Sequence, residues 1–159
     1  MQHALAWVAF ALAGCATGSG EALHAGVSTE AQIVDSMGRP AATLDGPDGG
    51  RRLAYPRGPL GRETVMADVG ADGRLVRITQ VLDDETFRRI QPGWTRAEVL
   101  RAIGPPGDKS AYALSRTDAW EYRYTDTWGY ESIFSVIFDA SDHVVGKTSQ
   151  RVERSDGHR

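Results

Sequence analysis

Gly93-Trp94-Thr95-Arg96-Ala97-Glu98-Val99-Leu100-Arg101-Ala102-Ile103-Gly104-Pro105-Pro106 spells out a complete short helix, with a start, an apolar face and a stop. Thr95 stands three residues before Glu98, the pattern of a capping box. The hydroxyl takes a free N–H of the first turn, and the carboxylate reaches back to the cap. Val99, Leu100 and Ile103 fall on one face at helical spacing. Gly104 sits where a left-handed C-terminal cap favours glycine, and Pro106 stops the helix from continuing. The chain carries the same message earlier, in Gly26-Val27-Ser28-Thr29-Glu30-Ala31-Gln32-Ile33-Val34-Asp35-Ser36-Met37-Gly38-Arg39-Pro40. Thr29 and Gln32 are the box, Ile33, Val34 and Met37 the face, Gly38 and Pro40 the stop. Helices are predicted near residues 29–37 and 95–103.

Outward from these helices the correspondence continues. Gly38 and Gly104 are 66 positions apart, Tyr55 and Tyr122 are 67 apart, and Leu75 and Val144 are 69 apart. An offset that drifts slowly is what small loop insertions produce in a tandem duplication. In the second copy Trp120, Tyr122 and Tyr124 alternate with Glu121 and Arg123, a period of two. The apolar run Ser132–Phe138 and the segment Val144–Thr148 follow, separated by turns at 126–129 and 139–142. The first copy offers Arg52–Tyr55, Thr64–Val69 and Leu75–Ile78, which are more polar. Asp83–Ile90, acidic first and basic last, suits a helix dipole and reads as a short extra helix ahead of the second copy. The expectation is an α+β fold of two tandem units, each with one or two short helices followed by a three-stranded antiparallel meander. The first unit covers 26–82 and the second 83–152. One such sheet with one helix is marginal alone, so pairing of the units should bury the remaining apolar sheet faces. Residues 153–159 read as a disordered tail.

The chain opens with an apolar run, Ala4–Leu12, that is too short to span a bilayer, which takes ~20 residues, but has the length of a signal-peptide core. It ends in Leu12-Ala13-Gly14-Cys15, which resembles the lipobox of bacterial lipoprotein signal peptides. In that class the cysteine thiol receives a diacylglyceryl group and the preceding residues, here 1–14, are removed. Cys15 is the only cysteine in the sequence, so it has no partner for an internal disulfide. The first residues depart from the pattern in one respect: they contain no Lys or Arg. Two or three acyl chains give stable membrane attachment, at ~0.8 kcal/mol per buried methylene. Ala16 stands where the resemblance associates Asp with retention in the inner membrane, so it implies the outer membrane, with the protein facing the periplasm. Residues 15–25 read as the lipidated cysteine and a flexible tether.

The second unit is similar to the SmpA/OmlA family, the BamE-type lipoproteins of outer-membrane assembly. The matching residues are Gly93, Thr95, Glu98 and Val99, then Gly104 and Pro106, then Trp120 and Tyr122. Thr29, Gly38 and Pro40 mark the degenerate first copy. Known members usually carry one unit, so two is a departure, and a duplicated unit of this plan also resembles the beta-lactamase inhibitory proteins. The shared residues specify helix caps, a helix face and strand aromatics. They specify a fold rather than a reaction.

Catalytic chemistry has little foothold. The four histidines fall in the signal, the tether, a turn and the tail, and no pair has the spacing of a zinc site on a helix. No Gly-x-Ser-x-Gly elbow occurs. The prolines of Gly104–Gly107 remove the N–H groups a phosphate cradle needs. Asp83, Asp84 and Glu85 read as an acidic helix start. Neither a metal nor another cofactor is expected. A formal net charge of −3 with no Lys/Arg run gives no basis for nucleic-acid binding. The remaining candidates are Trp128 and Tyr130 at a predicted hairpin tip. They either anchor a partner or fold back over their own sheet edge. The expected function is a non-catalytic envelope lipoprotein that scaffolds outer-membrane protein assembly or envelope maintenance, held to the membrane through Cys15 and bound to envelope proteins such as barrel-assembly components. The alternative is an inhibitor or adaptor that binds proteins on the surface of the tandem sheets.

Overall fold

A computed structural model describes residues 23–58 and 61–153. Cys15, the predicted signal at 1–14, most of the predicted tether and residues 154–159 lie outside the described residues. The last three residues assigned to the tether are described. Leu23 packs against the core around Ile33 and Leu53, and the His24 amide donates to Ser28 Oγ at 2.9 Å. An apolar side chain three residues before Gly26 lets the first unit's packing begin at Leu23.

The elements in chain order are α1 (Glu30–Met37), β1 (Ala42–Asp45), β2 (Arg51–Arg57), β3 (Glu63–Val69) and β4 (Leu75–Gln80), then α2 (Asp84–Arg89), α3 (Arg96–Ile103), β5 (Asp108–Tyr112), β6 (Thr117–Thr125), β7 (Glu131–Phe138) and β8 (Val144–Arg151). Both capping boxes form. Thr29 and Thr95 accept from the amides of Gln32 and Glu98, whose side chains accept in return from the cap amides at 2.9 and 2.7 Å. Gly38 and Gly104 have the positive φ expected, 85° and 78°, but ψ is near 180°. The caps are therefore the mirror of extended backbone, open essentially only to glycine, rather than the left-handed helical turn.

The strands form two four-stranded antiparallel meanders, β1-β2-β3-β4 and β5-β6-β7-β8, so the three-strand expectation needs one more strand per unit. The extra strands are edges. β1 is four residues long, and β5 is mostly exposed, so neither carries an apolar alternation that a sequence pattern could reveal. Pro56 shows why β1 is short: β1 pairs with β2 only as far as Ala54, which leaves the proline's missing N–H beyond the paired region.

The correspondence between the two halves extends to single hydrogen bonds. Thr29 bridges Arg74, and Thr95 bridges His143. The Gly26 amide donates to Leu75 O at 2.7 Å, and the Gly93 amide to Val144 O at 2.8 Å. The two units then stack. One face of the first sheet (Leu53, Tyr55, Ala67, Val69) packs with Ile33 of α1. On the other face, Ala54 and Met66 join Val99 and Ile103 of α3 and the aromatic face of the second sheet in one core. The layers run α1, first sheet, α2 with α3, second sheet. The approach is close at Gly104, where a Cβ would come within 3.0 Å of Thr64 Cγ2 and 3.1 Å of Met66 Cε, whereas the space around Gly38 is open. Asp68, buried on the face turned to α3, binds Arg52 Nη2 at 2.8 Å and Arg77 Nε at 2.7 Å. Arg52 Nη1 donates in turn to Arg101 O in the last turn of α3 at 2.8 Å. This cation at a helix C-terminus locks the two units together. Among the described residues no helix is long and apolar enough to cross a membrane.

Candidate functional site

The hairpin between β6 and β7 begins at Asp126. The Asp126 amide donates to Tyr130 O, and the Gly129 amide donates back to Asp126 O, both at 2.9 Å, with Gly129 at φ 83°. This is a turn closed by a glycine in a conformation with positive φ. One carboxylate oxygen of Asp126 accepts from the amides of Trp128 and Tyr130, and the other holds Arg151 Nε at 2.9 Å. Burial alone would push the Asp126 carboxyl up. The Tyr130 amide, the Arg151 guanidinium and the Trp128 amide outweigh it and hold the group below the usual carboxylate range. From the opposite side Asp84, the first residue of α2, accepts from the Tyr124 hydroxyl at 3.0 Å and the Thr127 amide at 3.2 Å. Burial is the main reason the Tyr124 phenol is pushed up. The tip is therefore fixed by its own aspartate, by β8 and by α2.

On this fixed frame the two predicted anchors behave differently. Tyr130 lies under the Arg151 guanidinium, 4.3 Å from its ring centre, and so partly covers its own sheet edge. Trp128 is 77% exposed. Between α2 and β8 lies an open groove of about 410 Å³ floored by Phe87 and Phe134 and rimmed by Asp84, Arg88, Lys147 and Ser149. A second hollow of about 260 Å³ continues past Asp84 and Thr127 to Trp128 and Arg151. Lys147 fixes the width of the groove: its ammonium donates to the carbonyls of Phe87, Arg88 and Ile90 at 2.9, 3.0 and 2.6 Å, closing the C-terminus of α2 onto β8. Phe87 stacks on Phe134 with ring centres 3.9 Å apart and meets Tyr124 edge-on at 4.8 Å.

The other motif residues are structural. Trp120 and Tyr122 are buried, and the Tyr122 hydroxyl donates to Gly104 O at 3.1 Å. Burial pushes the Tyr122 phenol far up. Trp94 packs partly buried against the main core. The acidic run splits: Asp83 caps α2 through the Thr86 amide at 2.7 Å, while Asp84 reaches the hairpin. Among the described residues no group of three or more His, Cys, Asp or Glu side chains could hold a metal ion. The two sheets do not form one continuous surface, because the first sheet's second face is covered by α3. The second sheet's outer face, with Glu121, Arg123 and Ile133, lines a separate hollow of about 240 Å³. Sequence reasoning missed Arg88, Lys147 and Arg151, and it missed that Asp84, read as part of an acidic helix start, reaches the hairpin. Asp126 was legible, since Asp two and four residues before turn amides is the Asx pattern.

No family model and no curated protein sequence matches the chain. Among solved structures it is similar to one described as a candidate osmotically inducible lipoprotein, OsmE, with 24% identity over 42% of this chain and 75% of that one and a TM-score of 0.37. It is also similar to a candidate beta-lactamase inhibitor protein from Streptococcus mutans, with 13% identity over 79% and 84% of the two chains and a TM-score of 0.35. A DUF4309 family protein, YjgB, from Bacillus subtilis matches at 13% identity over 84% of each chain, with a TM-score of 0.32. Likenesses of this size do not bear on function.

Proposed function

We propose that this chain is a non-catalytic, lipid-anchored envelope protein that holds a protein partner against the hairpin of its second unit. The observation that carries the reading is Trp128. A fold gains little from a largely exposed indole, yet here the turn that presents it is fixed from three sides. Trp in such a setting is a favoured hot-spot anchor, pre-organised so that little is lost in ordering it on contact. Anchoring is supported by the lipobox-like Leu12–Cys15. In this reading acyl chains on Cys15 hold the protein at the periplasmic side of the outer membrane, and the partner is another envelope protein. The motif shared with SmpA/OmlA proteins makes barrel-assembly components the first to look for.

The test has two arms. Cys15→Ala, or globomycin treatment, is expected to leave a larger, unprocessed protein that no longer partitions with membranes. Unchanged size and partitioning would end the anchoring claim. Affinity capture of the native lipoprotein from detergent-solubilised envelopes is expected to recover a defined envelope protein that is lost with Trp128→Ala while the fold is retained. Recovery unaffected by that substitution would reject the hairpin as the contact.

A further inference from the structure

The last strand of the second sheet has a free edge. Its first residue is already paired there, since the Gly93 amide donates to Val144 O and the Val144 amide to Trp94 O, both at 2.8 Å. Beyond the strand's other end, the Val152 amide bonds inward to Glu131 O at 2.9 Å. Alternation along an antiparallel ladder then turns the N–H and C=O groups of Lys147, Ser149 and Arg151 away from β7. Among the described residues no backbone group pairs with them. Such an edge is a template for another strand. Its side chains at these positions share the face that carries Phe134, so a strand laid alongside would send alternate side chains into the groove beside α2.

The charges of the groove say what that strand carries. Asp84 is occupied by Tyr124 and Thr127, Asp126 by Arg151, and the Lys147 ammonium by three carbonyls. The exposed Arg88 guanidinium has no carboxylate partner among the described residues. Neutral partners leave the charges of Asp84 and Lys147 in place, so Asp84 stands against Lys147 and Arg88 and the rim is net positive, above an aromatic floor.

We propose that β8 takes up an extended peptide segment of a partner by strand addition, with an apolar side chain of that segment over Phe87 and Phe134 and a carboxylate on Arg88. The inference rests on the reading of the second unit as the partner-holding one, and supplies its mode of recognition.

The experiment selects a phage-displayed library of linear twelve-residue peptides on the full lipoprotein held in detergent. The selected peptides are expected to alternate apolar and acidic residues, and to slow hydrogen exchange at the amides of Lys147, Ser149 and Arg151. Ser149→Pro deletes one outward donor without touching the pairing to β7. It should weaken binding at least tenfold. Arg88→Glu should weaken binding by a similar factor and serves if the proline variant does not fold. No enrichment, binders indifferent to Arg88→Glu, or an unprotected edge would overturn strand addition. Loss of capture in Trp128→Ala with an indifferent edge would overturn it while leaving the hairpin reading in place.

Discussion

The two units share a plan and differ in what covers their sheets. The first sheet has α1 on one face and borrows α3 of the second unit for the other. The second sheet has both α2 and α3 on one face and its outer face open. The aromatic inventory differs in the same direction. Trp120, Tyr122, Tyr124, Phe134 and Phe138 line the inner face of the second sheet, whereas the first sheet has Tyr55 among Leu, Val, Ala and Met. In place of aromatic area the first unit uses an ion hub on the face it shares with α3. The parts that match are backbone devices: capping boxes, positive-φ glycines and the bridges at Thr29 and Thr95. Two halves of one fold can share a hydrogen-bond frame while the material packed on that frame differs.

The largest expected effect tests the aromatic side. Phe87→Ala removes the ring stacked on Phe134 and opens the floor of the groove, and it should cost about 3–5 kcal/mol in urea unfolding. The first unit has no counterpart among its described residues, so a loss below ~1 kcal/mol would break the comparison at its root. Next comes the ion hub. Asp68→Asn leaves the half-buried Arg52 without its charge partner and should cost about 3 kcal/mol. Burial pushes the Asp68 carboxyl up, but hydrogen bonds and charge from Arg52 and Arg77 outweigh it, so the group sits below its ordinary value. A carboxyl lowered on folding stabilises fully above its unfolded value, near ~4, and loses that contribution as pH falls through the lower folded value. The wild-type urea midpoint should therefore drop in the acid range below ~4 by more than that of Asp68→Asn. Parallel acid profiles would show that the hub does not couple to folding.

A smaller effect separates the paired tyrosines. The Tyr122 hydroxyl donates to Gly104 O, the cap of its own unit's helix. The Tyr55 hydroxyl is buried without a partner among the described residues, and Arg57 reaches the carbonyl of Met37 in the corresponding helix instead, at 3.5 Å. Tyr122→Phe should cost about 1 kcal/mol, whereas Tyr55→Phe should be neutral or slightly stabilising, because it removes a buried hydroxyl that makes no bond. Equal costs would mean that the two tyrosines do the same work.

What the sequence made legible follows from where the signals are local. Thr29 and Gln32, or Thr95 and Glu98, lie within one turn of helix, so their chemistry can be read directly, as can the period-two aromatics of β6. The edge strands β1 and β5 were hidden because an edge is held mainly by backbone bonds on one side and needs no apolar pattern. The clamp on the hairpin was hidden for a different reason. Asp84 and Thr127 are 43 positions apart, and Lys147 lies 57 to 60 positions from the carbonyls it binds. A polar contact over such a distance leaves no periodicity behind, and only the folded meander brings it together. Tyr130 and Trp128 were indistinguishable in sequence because what separates them is Arg151, which arrives from β8.

That separation gives the smallest expected change in stability. Trp128 touches little of its own fold, so Trp128→Ala should shift the urea midpoint by less than about 0.5 kcal/mol. Tyr130→Ala removes the ring beneath Arg151 and loosens the guanidinium that Asp126 holds, so it should cost more, up to about 1 kcal/mol. If Trp128→Ala proved the more damaging of the two, the indole would be packing against something in its own chain. Trp128 would then resemble Tyr130, and the second unit would lose the feature that sets it apart as the binding half. If instead the order holds while capture of a partner falls only with Trp128→Ala, then stability and recognition are carried by neighbouring rings on one turn. The first unit, whose β2–β3 connection carries no aromatic residue, would act as the support.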